Sequence, residues 1–317
     1  MLPVKQCCNH CTRLIFRSFF RLKNELELLQ KANHTNILRV HGWTKWCGSM
    51  ALVMEYMPGG NLRRLLHDQN IPLPIVLRLR MCAEIASGIS FIHNFNSQQG
   101  LLHGDLKPDN ILLSQDLHCI IGDFGGARLM KYTTSTVNSS RPTQRDQMTR
   151  AYAPPERLAD GPRPKPKKEH DTYSFGIIVH SVLSRETPLE MFRDETDYVE
   201  AIKRGDRPDR RAIEILKEGI TSEVEKSIID ILESVMTRCW QEIPDERPNM
   251  PHVRNELNTH LGKLSPETIQ QSVTSVLSYM RFFLPSKTTH HCVPLRNFNT
   301  RTGDFHTSMS LVMVTRF

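Results

Sequence analysis

Between His103 and Gly125 the chain sets side chains suited to phosphate chemistry at short spacings: Asp105, Lys107 two residues on, Asn110, and Asp123. A carboxylate can accept the proton of an incoming hydroxyl, and an ammonium beside it can offset charge on a group in transfer. That casts Asp105 as base and Lys107 as charge stabiliser. One neutral oxygen and one carboxylate suit Mg²⁺, which takes few protein ligands and completes its shell with phosphate oxygens. Asn110 and Asp123 supply that set.

These residues need an element that brings them together. Two short apolar runs, 111–113 and 118–121, flank Ser114-Gln115-Asp116, which can turn. A hairpin there returns the chain to its starting point and places Asn110 and Asp123 side by side at its open end. Upstream, residues 2–8 read as a strand, and 18–32 as a helix with Leu22, Leu26 and Leu29 on one face. Glu25 shares that face, and a carboxylate inside an apolar stripe needs a positive partner. Residues 36–41 and 50–57 read as strands. Pro58-Gly59-Gly60 breaks the pattern, and Asn61 can cap a short helix. A long apolar helix is predicted from Leu73 to His93, and further helices near 173–184, 223–239 and 249–261. Strands cluster early and helices late, so the chain is predicted to be α+β with two unequal lobes.

Composition is that of an ordinary soluble globular protein: 317 residues, 39% hydrophobic and 24% charged. The formal net charge of +7 is a mild excess without a Lys/Arg stripe interleaved with aromatics, so no nucleic-acid partner is expected. No apolar run reaches the length of a membrane span, and no signal-peptide pattern opens the sequence. The 8 cysteines are mostly scattered singly through apolar segments, as reduced thiols would be. Cys8 and Cys11 lack a second ligand pair at zinc-site spacing, and His290-His291-Cys292 is an isolated cluster. The expected location is cytoplasmic.

The stretch His103-Gly104-Asp105-Leu106-Lys107-Pro108-Asp109-Asn110, followed after a hairpin-length gap by Asp123-Phe124-Gly125, resembles the catalytic loop and metal motif of eukaryotic protein kinases. The resemblance runs along most of the chain. Val4-Lys5 is similar to the end of the strand whose lysine holds the nucleotide phosphates, and Glu25 then stands where that lysine's helix partner belongs. Met54-Glu55-Tyr56-Met57 resembles the hinge. There Met54 is implied as gatekeeper, Glu55 and Met57 as backbone contacts to adenine, and Leu112 as a further nucleotide contact. Thr149 to Glu156 resembles the end of an activation segment, Arg247 the partner of Glu156, and Asp171 the helix aspartate that braces the catalytic loop. Lys107 and Thr149 are as in kinases acting on serine and threonine. Within kinases the chain is most similar to the tyrosine-kinase-like group and its receptor-interacting serine/threonine kinases.

The resemblance implies a bilobal kinase fold with a truncated, strand-rich N-lobe and a helical C-lobe. The expected division is a partial N-lobe and hinge over 1–57, a C-lobe over 58–263 and a flexible tail over 264–317, with a short helix from Ile269 to Leu284. It implies ATP and Mg²⁺ as cofactors, a protein substrate, upstream receptors or adaptors and a homodimer as partners, and a role in immune or cell-death signalling. Two departures stand out. Gly104 occupies the place where many kinases carry arginine, so activity is not expected to depend on a phosphate docked there. The glycine-rich loop expected upstream of Lys5 is lacking, which keeps open a second expectation: a weakly active, pseudokinase-like scaffold.

Overall fold

The computed structural model describes residues 33–46, 49–95, 99–124, 128–131, 149–160, 164–190, 192–283 and 312–316. It divides into two compact units. Leu38–Tyr56 and the C-terminal strand belong to the smaller, and His34–Ile37 with Met57–Thr288 to the larger. Lys5 and Glu25, with the strand and helix expected around them, lie outside the described residues, as do the Cys8–Cys11 pair and the His290–Cys292 cluster.

In the smaller unit, strand β1 (Val40–Trp46) and strand β2 (Ser49–Glu55) form an antiparallel hairpin with Trp46 opposite Ser49. Val53 and Met54 of β2 are buried. The other edge of β2 is occupied by strand β7 (Val312–Arg316), antiparallel, with Val53 opposite Val314. The expected strand over 36–41 begins four residues late. Asn36 and Ile37 are used elsewhere, in the larger unit. Ile37 forms a parallel bridge to Ile121, Asn36 O accepts from Ile121 N at 2.9 Å, and the Asn36 side chain donates to Cys119 O at 2.9 Å. The run is apolar because it is buried, not because it continues the ladder.

The larger unit is built on helices. Helix α1 (Leu62–His67) starts where Asn61 accepts from Arg64 N at 3.0 Å. Helix α2 (Ile75–His93) follows Pro74, whose missing N–H suits a helix start. Its residues are buried nearly all round, so its sequence is apolar on every face. After strand β3 (Gln99–Leu102) come a 3₁₀ turn, Pro108–Asn110, and the hairpin of β4 (Ile111–Leu113) and β5 (Cys119–Ile121); strand β6 (Arg128–Lys131) pairs with β3. A one-turn helix α3 (Pro155–Leu158) precedes helix α4 (Lys168–Ser184), which runs through the core with Tyr173, Phe175 and Ile177 fully buried. Helices α5 (Glu195–Lys203), α6 (Arg211–Glu218), α7 (Glu223–Cys239) and α8 (Met250–Leu261) follow. Helix α8 packs on α2, and α7 on α4. Gly88 lets α2 approach the hairpin: a Cβ there would lie 2.7 Å from Ile121 Cδ1 and 2.8 Å from Asn36 O.

The part of the expected flexible tail that lies in Pro266–Phe283 is a helix, α9, packed on α2 with Ser272, Val273 and Val276 buried. Its apolar positions repeat at helical spacing, and burial against α2 gives them their reason. Cys82, Cys119 and Cys239 are free and buried, and burial pushes the Cys82 and Cys239 thiols up to about 12. No helix among the described residues is long and apolar enough to cross a membrane.

Candidate active site

The site is assembled within the larger unit from the floor upward. The floor is Asp171, a carboxylate only 1% exposed near the start of α4. Its Oδ1 accepts from Gly104 N at 2.9 Å, and its Oδ2 from His103 N at 2.9 Å. His93, at the end of α2, adds Nε2 at 3.0 Å from Oδ2. Burial alone would push this carboxyl up. The hydrogen bond and charge of His93, the charge of His103 and the Gly104 N–H outweigh it and hold Asp171 below its usual value. A buried anion with three donors fixes the loop backbone that begins the catalytic stretch.

His103 is the next layer. Its Nε2 donates to Gly122 O at 2.9 Å, and its ring packs on Phe124 at 4.9 Å between centroids. This couples the loop to the residues on either side of Asp123. Gly104 follows with φ +78, a left-handed conformation that glycine adopts without the Cβ penalty.

The four residues read from spacing lie on this frame. Lys107 Nζ donates to Asp105 Oδ2 at 2.9 Å and to Thr149 Oγ1 at 2.7 Å. Thr149 N donates to Asp105 Oδ1 at 3.2 Å. The amide of Asn110 is turned so that Nδ2 donates to Asp105 O at 2.8 Å, which leaves Oδ1 as its acceptor end. The expected hairpin closes as drawn, with Ile111 opposite Ile121 and Gly122 N donating to Asn110 O at 2.9 Å. Asp123 is therefore one residue from the atom that pairs with Asn110; it is exposed and has φ +52. An amide oxygen and an exposed carboxylate at a hairpin mouth fit a hard divalent cation that also binds phosphate.

Of the residues implied for nucleotide contact, Met57 is buried and Leu112 half-buried in the larger unit, where Leu112 bridges to Asn61. In the smaller unit Met54 is buried and Glu55 N donates to Arg39 O at 3.1 Å.

The segment after Thr149 is anchored from below. Glu156 receives a two-pronged hydrogen bond from Arg247, at 2.7 and 2.9 Å, and the Arg247 side chain is fully buried. Its remaining donors go to the carbonyls of Gln241, Glu169 and Glu242, and its guanidinium lies 5.0 Å from the Tyr173 ring centroid. Every donor of this buried cation has a partner, the condition under which such a charge is tolerated. His170 lies beside this pair, with Nε2 3.5 Å from Glu156 Oε1 and no hydrogen bond between them. Burial is the largest cause that lowers its pKa, to about 4, with Arg157 and Arg247 adding to it.

Sequence reasoning missed His93 and His170. Each is a histidine within a helix, and only the tertiary structure shows what lies beside it. The pairing of Glu156 with Arg247 and the bracing by Asp171 are found where the resemblance put them.

A loop held by a buried helix aspartate, with a hairpin after it that brings an asparagine and an aspartate to its mouth, is the architecture of a protein kinase. Residues 15–257 match the protein kinase domain family, and the chain belongs to that family. It is similar to receptor-interacting serine/threonine-protein kinase 2 of Bos taurus, 33% identical over 84% of this chain and 48% of that protein. It is also similar to receptor-interacting serine/threonine-protein kinase 1 of Homo sapiens (28% identical; 80% of this chain, 36% of that protein) and to receptor-interacting serine/threonine-protein kinase 4 of Mus musculus (32%; 78% and 29%). The chain thus spans half or less of the length of these relatives. Membership of the family implies use of ATP and a divalent metal.

Proposed function

We propose that this chain is a serine/threonine protein kinase domain that moves the γ-phosphate of Mg-ATP onto protein hydroxyls. The observation that carries the reading is the position of Lys107 Nζ, shared between Asp105 and Thr149 at 2.9 and 2.7 Å. It ties the base, the charge stabiliser and the substrate-side segment into one unit. Asp105 takes the proton of the acceptor hydroxyl, Lys107 offsets charge developing on the phosphoryl oxygens, and the Asp171 floor keeps both from shifting. Asn110 Oδ1 and Asp123 would hold Mg²⁺, which supplies charge neutralisation at the phosphates when bound. Lys5 and Glu25 are assigned to nucleotide orientation, and the backbone at Glu55 and Met57, with Met54 and Leu112, to adenine. The words receptor-interacting in the relatives' names support a place in receptor-linked signalling; a cytoplasmic location and adaptor partners belong to the same proposal.

The test is incorporation of labelled phosphate from Mg-ATP into the full chain and a neutral serine/threonine peptide, with phosphoamino-acid analysis. Label on serine or threonine that disappears in Asp105→Asn supports the kinase. Incorporation equal in the variant, or none in either protein with ATP shown to bind, moves the assignment to the scaffold.

A further inference from the structure

The hairpin that carries Asn110 and Asp123 at its mouth is gripped at its closed end by α2, through charged groups that transfer chemistry does not use. Glu84 Oε2 accepts from Cys119 N at 2.7 Å, and Glu84 Oε1 lies 2.6 Å from His118 Nδ1. One helical turn earlier, Arg80 Nη2 donates to Asp116 O at 2.9 Å and to Leu117 O at 2.8 Å. Its Nε lies 3.6 Å from Glu84 Oε1. The Arg80 and Glu84 side chains are largely buried, and that of His118 is half exposed.

The hairpin needs such a grip. Strands β4 and β5 have 3 residues each, too few to hold their register by side-chain pattern alone. A slip of one residue would carry Asp123 away from Asn110. The turn between the strands holds Leu117 fully buried at φ +58, a left-handed conformation that such a residue keeps only where its surroundings enforce it. Ser114 closes the turn from within: its N donates to His118 O at 3.0 Å, and its Oγ accepts from Asp116 N and His118 N at 3.2 and 3.0 Å. Gly59 and Gly60 hold the outer edge of β4, and Asn36 that of β5. Arg80 and Glu84 fix the turn itself to the helix. That helix ends at His93, which holds Asp171, so one rigid element positions both the loop of Asp105 and the hairpin.

Resting on the assignment of Asn110 and Asp123 as the metal pair, we propose that Glu84 is a positioning residue. From the closed end of the hairpin it sets the affinity of the open end for a metal–nucleotide complex, and His118 makes that affinity depend on pH. The charged groups that face His118 are Glu84 and Arg80 from α2 and Asp116 from its own turn. The hydrogen bond to Glu84 is the largest cause of the shift and holds the imidazole above its ordinary value. The charges of Glu84 and Asp116 add to it, while burial and Arg80 oppose it. The clamp is therefore at full strength below the ordinary histidine value, where the bond joins two ions, and loosens as pH rises through the raised value.

The test titrates Mn²⁺, standing in for Mg²⁺, into the full chain with a non-hydrolysable ATP analogue and reads binding by electron paramagnetic resonance. Hydrogen exchange is followed at Gly122 N, the donor to Asn110 O at the hairpin mouth. Glu84→Ala is expected to raise the Kd for Mn²⁺ about fivefold, the scale of a coupling carried through a packed network. Exchange at Gly122 should quicken while the amides of α4 stay as they were. Glu84→Gln, which keeps an acceptor for Cys119 N, should recover most of the affinity. As pH rises from about 6 to about 8.5, the wild-type Kd should climb about twofold relative to that of His118→Asn, which keeps a donor that does not titrate. A Kd unchanged in Glu84→Ala, whatever its Tm, overturns the proposal, as does a wild-type pH dependence that His118→Asn retains. If Glu84→Ala does not fold, the pH comparison with His118→Asn decides. A wild type that holds no Mn²⁺ overturns the proposal together with the metal assignment. Mn²⁺ binding in the expected pattern without phosphate transfer sinks the kinase reading and leaves this one standing.

Discussion

The catalytic frame of the larger unit and the sheet of the smaller unit are held together by different means. In the frame, each buried charge is tied by hydrogen bonds to several partners at once: Asp171 to two backbone N–H groups and His93, and Arg247 to Glu156 and three carbonyls. In the sheet, β2 is held on one side by its sequence neighbour and on the other by a strand from the far end of the chain. Side-chain pairing among buried charges admits one partner of the right type. A backbone ladder admits any strand of compatible pattern. The first arrangement gives geometry rigid enough for chemistry, and the second gives an edge whose occupant can be exchanged.

Substitutions in the frame should therefore have large and separable effects. Asp105→Asn is expected to lower kcat by about 10²–10⁴-fold, the range for loss of a general base, with little change in Tm. A parallel fall in Tm would show that Asp105 is holding structure. Glu156→Gln leaves the buried Arg247 charge without its counter-ion and should cost about 3–5 kcal/mol, read from denaturant unfolding. A loss below about 1 kcal/mol would mean that the three carbonyls suffice, on the scale of ordinary hydrogen bonds.

The same frame carries a pH signature. His170 titrates near 4 in the fold because burial disfavours its charged form, and near 6.5 when unfolded. Between these values the unfolded chain binds the extra proton, so stability falls as pH drops from about 6.5 toward 4, by at most about 3 kcal/mol from this group. Above pH 6.5 both states are neutral and its contribution is flat. Asp171, held below its usual carboxylate value, adds a loss at lower pH still, as it protonates. His170→Gln should flatten the slope of Tm against pH between 6.5 and 4 while leaving that acid limb. An unchanged slope would rule out His170 as its source.

Much of this frame was legible in the sequence, and the reason is chemical. Asp105, Lys107, Asn110 and Asp123 are polar types at spacings that only a turn and a hairpin reconcile, so residue type and local geometry pointed the same way. The pairing of Glu156 with Arg247 was legible through resemblance. His93 and His170 were not, because a histidine in a helix has many ordinary explanations, and only the fold shows what lies beside it. Helix α9 was expected over Ile269–Leu284, but its packing was not, because the face of α2 that it meets is far away in sequence. The run 36–41 was misplaced because apolar residues do not say which unit will bury them. The run over 50–57 read as a strand but could not name its second neighbour.

That second neighbour gives the smallest expected effect and the sharpest contrast with the frame. Removing Val312–Arg316 exposes the free edge of β2 from Ala51 to Glu55. Each backbone hydrogen bond lost is worth about 0.5–1.5 kcal/mol net. The conformational freedom regained by each released residue, about 1–2 kcal/mol, offsets most of this. Global stability should therefore change by less than about 1 kcal/mol, within the usual range for surface changes. Local opening should change far more. Backbone amides of β2 that are bonded to β7 should exchange with solvent faster, while those facing β1, and those of α2 and α4 in the larger unit, stay as they were. Hydrogen exchange on the full chain and on a chain ending before Val312 reads this residue by residue. Faster exchange at β1 and α4 in the shortened chain, or no change at β2, would remove the distinction between an exchangeable edge and a fixed frame.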